Sequence, residues 1–81
     1  MRDGGMTEKK HFTTITREHN EHRKKWGKTF THIKSGERYQ LLRTVHDTES
    51  QECMGLFCLV ENSMYQFVTP IDTFLAKHEE V

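Results

Sequence analysis

From Tyr39 to Phe74 the apolar and β-branched residues fall into three short runs separated by polar turns. This rhythm limits the fold more than any other feature of the chain. Tyr39–Val45, Cys53–Val60 and Tyr65–Thr69 each have the length and composition of a strand. Asp47-Thr48-Glu49-Ser50-Gln51 and Glu61-Asn62-Ser63 are polar connections rich in turn formers. Cys53–Val60 is almost wholly apolar, which predicts a central strand with neighbours on both edges and cover on both faces. Alternation along the first run predicts Tyr39, Leu41, Arg43 and Val45 on one face, with Leu42 and Thr44 on the other. Pro70 has no N–H for a ladder and should end the third strand. Ile71 to Leu75 then predicts a helical turn that seats Phe74 and Leu75 on the end of the sheet.

Before this stretch the signals are mixed. Residues 1–11 are polar and glycine-bearing, which predicts a flexible tail. Phe12-Thr13-Thr14-Ile15 is β-prone and reads as a short strand. Thr16 reads as a helix N-cap, Arg17–Trp26 as the helix and Gly27 as its C′ residue. Ile15, His19, His22 and Trp26 make a narrow stripe at helical spacing, so the helix should dock by one edge. Thr29 to Ile33 alternates as a strand, and Lys34-Ser35-Gly36-Glu37 is a turn. Residues 77–81 read as a frayed acidic tail. The expected layout is one domain over 12–81, with a basic helical arm at 12–28 and a β-barrel at 29–76. The fold class is mainly β with a short N-terminal α-helix: a small SH3-like barrel or a strongly bent antiparallel sheet.

With 81 residues, of which only 33% are hydrophobic, the chain can bury one small core. A deep enzymatic pocket is hard to build around it. The net charge of zero hides a split: residues 1–43 carry eleven Lys/Arg against five Asp/Glu, and residues 44–81 carry one against seven. Such a dipolar chain either neutralises itself in the fold or presents a basic end to a partner. Cys53 and Cys58 would sit ~16 Å apart on one strand, whereas a disulfide requires Cα atoms within about 7 Å. Reduced, buried thiols suit a cytoplasmic protein. No apolar run approaches the roughly 18 residues of a membrane span, and no signal peptide is evident, so no membrane partner is expected.

Four groups of residues carry possible chemistry. Arg23, Lys24, Lys25, Trp26 and Lys28, extended by Lys34, Arg38 and Arg43, combine clustered cations with an aromatic ring, as nucleic-acid contacts do. The plainer alternative is a solvated helix end with Trp26 as its docking anchor. His19 and His22 share a helix face and could join His11 or His32 around zinc, but the pair is a weak signal, and ordinary histidines are expected. Asp47, Glu49, Glu52 and Ser50 lie in a wet hairpin connection, where Glu49 should cap turn donors rather than do acid–base work. Met54, Phe57, Tyr65, Phe67 and Phe74 should be mostly core; the alternative is that Tyr39 and Tyr65 stand at the rim of a groove suited to extended peptides. No nucleophile motif and no phosphate-binding glycine loop is present.

The run His32-x-Lys34-x-Gly36-x-x-Tyr39, then Thr48-Glu49-Ser50, then Phe67-Val68-Thr69-Pro70-x-x-x-Phe74-Leu75 resembles a family of small SH3-like β-barrel domains of unknown function found in bacteria and their phages. The resemblance spans residues 30–77. Thr69 stands before the proline where that family usually has Arg, and Asp47 separates His46 from the Thr-Glu pair. No ligand role carries over to those two positions. The resemblance implies a fold and a bacterial or phage origin, and no reaction.

Together these readings predict a non-enzymatic, cytoplasmic binding or regulatory protein without a cofactor or metal. Its expected partner is a protein, for instance a host protein that it inhibits. The expected binding residues are Arg23, Lys24, Lys25, Trp26, Lys28, Lys34, Arg38, Tyr39 and Tyr65. The competing expectation is an accessory protein that binds nucleic acid through the basic N-terminal arm.

Overall fold

The computed structural model describes residues 12–81, and the tail expected at 1–11, with His11, lies outside the described residues. The elements in chain order are α1 (Phe12–Arg23), β1 (Thr29–His32), β2 (Arg38–His46), β3 (Cys53–Leu59), β4 (Gln66–Pro70), α2 (Ile71–Lys77) and β5 (His78–Glu80). The strands form one antiparallel sheet in the order β4-β3-β2-β1-β5. The protein is therefore mainly β with two helices. Among the described residues the sheet is open: β4 and β5 are its two edges, joined covalently by α2 and not by strand pairing.

The three apolar runs and their turns account for β2, β3 and β4. β3 lies between β2 and β4, as its apolar run requires. Cys53, Gly55 and Phe57 of β3 are buried on the face toward α2, and Cys58 is buried on the other; both thiols are free. Asn62 shapes the β3–β4 turn by accepting the Met64 N–H on its side chain at 3.1 Å and the Tyr65 N–H on its carbonyl at 3.0 Å. After Pro70 the chain turns straight into α2, which buries Ile71 and Phe74 in the core. The core gathers Phe30, Leu41, Cys53, Phe57, Ile71 and Phe74, with Trp26, Tyr39 and Leu75 packed around it.

Four expectations are corrected. First, Phe12 to Ile15 is the opening turn of α1 and not a strand, and Thr16 lies inside the helix. Ile15 begins the same stripe as His19 and His22, and all three are half-buried against the sheet, so packing overrides the β preference of Phe-Thr-Thr-Ile. The helix ends earlier than expected, at Arg23. The N–H groups of Lys25 and Trp26 bond three residues back to His22 and Arg23, and Gly27 takes φ +81°, which glycine tolerates freely.

Second, β2 does not alternate throughout. Leu41 pairs with Phe57 but Arg43 pairs with Leu56, so Leu42 is an extra residue in a β-bulge. Beyond it the faces exchange. Thr44, opposite Gly55, joins Tyr39 and Leu41 on the core face, and Arg43 and Val45 turn away.

Third, the C-terminal residues are not frayed. His78, Glu79 and Glu80 pair with His32, Thr31 and Phe30 as β5. The Val81 N–H donates to Thr29 O and the Ile33 N–H to Lys77 O, which extends that ladder at both ends.

Fourth, Asp47 and not Glu49 caps the β2–β3 turn. Its carboxylate accepts the Glu49 N–H and the Ser50 hydroxyl, each at 3.0 Å. Those two bonds hold its carboxyl below the usual carboxylate range. No described helix is long and apolar enough to cross a membrane.

Candidate interaction surface

The nine residues expected to bind a partner do not form one site. Trp26 is half-buried against the core and anchors the end of α1. The guanidinium carbons of Arg23 and Arg43 lie 5.8 and 5.9 Å from its ring centroid, within cation–π range. The indole is therefore occupied from within the chain. Lys25 and Lys28 both approach the Glu80 carboxylate, at 3.6 and 3.7 Å. β5 thus brings an acidic residue onto the basic arm and partly neutralises it. Lys24 is exposed. Lys34 sits in the β1–β2 turn, and Arg38 lines a hollow with Gly36, Val60 and Glu61 away from the arm.

Tyr39 and Tyr65 belong to a different region, which the structure makes coherent. The β3–β4 turn and β4 expose Met64, Tyr65, Phe67 and Val68, with Tyr65 at 58%, Phe67 at 44% and Val68 at 54%. Since β4 is an edge strand, these apolar side chains flank a row of backbone groups that no strand of this sheet meets. Phe67 and Thr69 lie on the core-facing side, opposite Phe57 and Gly55, while Val68 lies on the other, opposite Leu56.

Beside this edge, between β4 and the α2–β5 corner, lies a cavity of about 270 Å³. Its aromatic wall is Tyr39, Phe57, Phe67 and Phe74. Tyr39 stands edge-on to Phe57 and Phe67, with ring centroids 5.4 and 6.2 Å away, and Phe57 and Phe67 tilt together at 5.6 Å. The Tyr39 hydroxyl donates to Glu37 Oε1 at 3.0 Å. Burial, with this bond second, raises the phenol pKa. His32, His78, Thr69, Thr73 and Lys77 complete the lining. His78 Nδ1 lies 2.8 Å from the Phe74 carbonyl oxygen. A carbonyl only accepts, so Nδ1 carries the proton and Nε2 of the neutral ring is bare. That Nε2 is buried and makes no hydrogen bond. Burial holds the His78 pKa below 6.5 against the opposing bond to the Phe74 carbonyl, with the nearby His32 and Lys77 adding to the lowering.

His19 and His32 make hydrogen bonds within the fold. His19 Nδ1 meets the buried Thr44 hydroxyl at 2.8 Å and ties α1 to β2; burial, then the charge of His46, lowers its pKa. His32 Nδ1 accepts the Ser35 N–H at 3.1 Å in the β1–β2 turn. His19 and His32 thus serve different ends of the sheet. Among the described residues no three His, Cys, Asp or Glu side chains gather closely enough to hold a metal ion. Glu18, Glu21, His22, Glu52 and Asp72 line a hollow of about 260 Å³ under α1 that the sequence did not announce, because α1, the β2–β3 turn and α2 meet only in the fold. A larger hollow of about 500 Å³ is lined by residues of α1 alone, among them Thr13, Arg17 and Glu21, and encloses nothing.

The sequence reading put Tyr39 and Tyr65, as its alternative, at the rim of a groove; the structure puts Tyr39 in the cavity wall and leaves Tyr65 exposed outside its lining. The sequence reading missed Lys77 and His78 because their strand and helix end carry no apolar pattern. No protein-family model, no curated protein and no solved structure matches this chain.

Proposed function

We propose that this protein is a non-enzymatic interaction module that takes an extended segment of a partner protein against β4. The observation that carries this reading is an apolar edge strand, exposing Tyr65, Phe67 and Val68, beside an aromatic cavity. Edge strands of natural proteins are usually short, charged or covered, because an open apolar edge pairs with other chains. β4 is short but carries no charge, and its flanking turn adds the exposed Met64. In strand addition the main chain supplies affinity, and alternate side chains enter pockets that set specificity. The β1–β4 meander, with α2 returning the chain to β5 beside β1, supports an SH3-like reading of the domain in which the incoming segment occupies the gap between the two edges.

Nucleic-acid binding through the arm is the weaker reading. Glu80 engages Lys25 and Lys28, and Trp26 is held by the core and two arginines. The test is capture from lysate by the wild type, a Val68→Lys/Tyr65→Ala variant and a Lys24/Lys25/Trp26 triple-alanine variant, with nuclease and at low and high salt. A protein partner that persists in nuclease and high salt and is lost only in the first variant supports the proposal. Recovery of nucleic acid alone, lost with salt and in the triple variant, overturns it.

A further inference from the structure

The composition of the cavity narrows what the partner segment must present. At about 270 Å³ it falls below the roughly 300–1,000 Å³ of sites for drug-sized ligands and suits one large side chain. Tyr39, Phe57, Phe67 and Phe74 give it an apolar wall, with rings set near right angles as in cages that hold cations. The local charge disfavours a cation. Among the described residues no Asp or Glu lines the cavity, whereas Lys77 does, and Lys34 lines the adjoining hollow together with Lys77; the nearby Glu37 carboxylate is engaged by the Tyr39 hydroxyl. Among the described residues the Lys77 ammonium has no ion-pair partner, and the Thr69 and Thr73 hydroxyls have no hydrogen-bond partner. Thr73 and Lys77 are four residues apart on α2, so they line the cavity from one helix face. Among the described residues the site therefore pairs an aromatic wall with one free cation and two free hydroxyls, which complements a ring that carries a carboxylate close by.

We propose that this cavity binds the C-terminal residue of a partner polypeptide when that residue is aromatic, its ring against Tyr39, Phe57 and Phe67 and its terminal carboxylate on Lys77 and Thr73. The proposal rests on β4 being the contact edge, because a chain lying along that strand delivers its end to the cavity. An ordinary charge-assisted bond from Lys77 supplies the preference for a free carboxylate.

The test is amide-resolved NMR titration with the peptide acetyl-Val-Thr-Val-Phe carrying a free carboxylate, the same peptide as its C-terminal amide, and two small probes, 3-phenylpropionate and 2-phenylethylamine. The expected result is that the free-acid peptide shifts residues of both β4 and the cavity and binds roughly tenfold more tightly than its amide. 3-Phenylpropionate should shift the cavity residues and 2-phenylethylamine should not. Lys77→Met keeps the aliphatic stem and sits on an exposed helix face. It should remove the preference for acid over amide while leaving the fold and β4 shifts intact. Equal binding of acid and amide, a preference for the amine, or an unchanged acid preference in Lys77→Met overturns the proposal. If both peptides shift β4 equally and the cavity residues stay still, this inference fails while the β4 reading stands. If 3-phenylpropionate fills the cavity but neither peptide shifts β4, the cavity chemistry holds while the edge reading and the peptide proposal fail.

Discussion

The His78 imidazole stacks on the Phe74 ring, centroids 4.1 Å apart and planes 13° from parallel, while its Nδ1–H donates to the Phe74 carbonyl oxygen at 2.8 Å. One residue thus closes the end of α2, starts β5 and walls the cavity. The fold favours the neutral ring, because a second proton would place an unpaired N–H at the buried Nε2.

This arrangement makes the fold acid-sensitive. In the unfolded chain His19 and His78 titrate near 6.5, and in the fold both sit lower, chiefly through burial. Well above 6.5 both states are neutral. As pH falls below 6.5 the unfolded chain takes up protons first, and stability declines until the folded rings protonate too. The urea midpoint should therefore fall on acidification from about pH 7 to about pH 5. The double variant His19→Gln/His78→Phe should lose most of that slope; an unchanged slope would assign it to other groups. Asp47, whose carboxyl is held below 3.8, adds a separate loss only in stronger acid.

The core is small enough that one cavity should unfold it. Phe74 is 1% exposed and contacts Phe30, Phe57 and His78. Phe74→Ala should cost about 3–5 kcal/mol, comparable to the whole stability of a domain of this size. Circular dichroism and amide dispersion should show a largely unfolded chain at room temperature. A native spectrum with an unchanged melting temperature would mean the ring is not core.

Gly55 sets how closely α2 lies on β3. A Cβ built there meets Ile71 Cδ1 at 3.0 Å and Leu41 Cδ1 at 3.4 Å. Both contacts are ends of flexible side chains, so Gly55→Ala should be tolerated with a small loss. Gly55→Val adds branches into the same space and should cost about 1–3 kcal/mol through overpacking. Chemical denaturation of the two variants checks the order; an equal or more stable Val variant would contradict it.

Glu80 separates charge from stability. Its pairs with Lys25 and Lys28 are partly exposed, so Glu80→Ala should cost less than about 1 kcal/mol. It also frees two cations on the arm. Non-specific affinity for DNA, measured by fluorescence anisotropy at low salt, should rise and should vanish at high salt. No change at low salt would mean that the pairs do not screen the arm.

Much of the sheet was legible because its signals are local. Alternation, the Asn62 and Asp47 turns and the block at Pro70 are all written within a few residues of their effect. The Leu42 bulge was not read, although Leu41-Leu42 and Arg43-Thr44 interrupt the alternation there; it is the pairing with β3 that places the extra residue. β5 was not either: His-Glu-Glu has no strand preference, and its conformation comes from the partner it finds in β1. The cavity inherits that gap. Tyr39 and Phe67 were visible as aromatic residues on strands, but Lys77 and His78 join them only once β5 is placed. The helix start was misplaced because Phe-Thr-Thr-Ile favours a strand until Ile15, His19 and His22 dock together.

The most direct test of the central claim is selection of a random peptide library on the immobilised protein, followed by hydrogen exchange of the β4 amides with and without a selected peptide. Strand addition at β4 predicts that bound peptide slows exchange at those β4 amides that β3 leaves unpaired, and that Val68→Lys abolishes both binding and protection. Peptides that bind while β4 exchange stays unchanged, with protection on α1 or the basic arm instead, would contradict it.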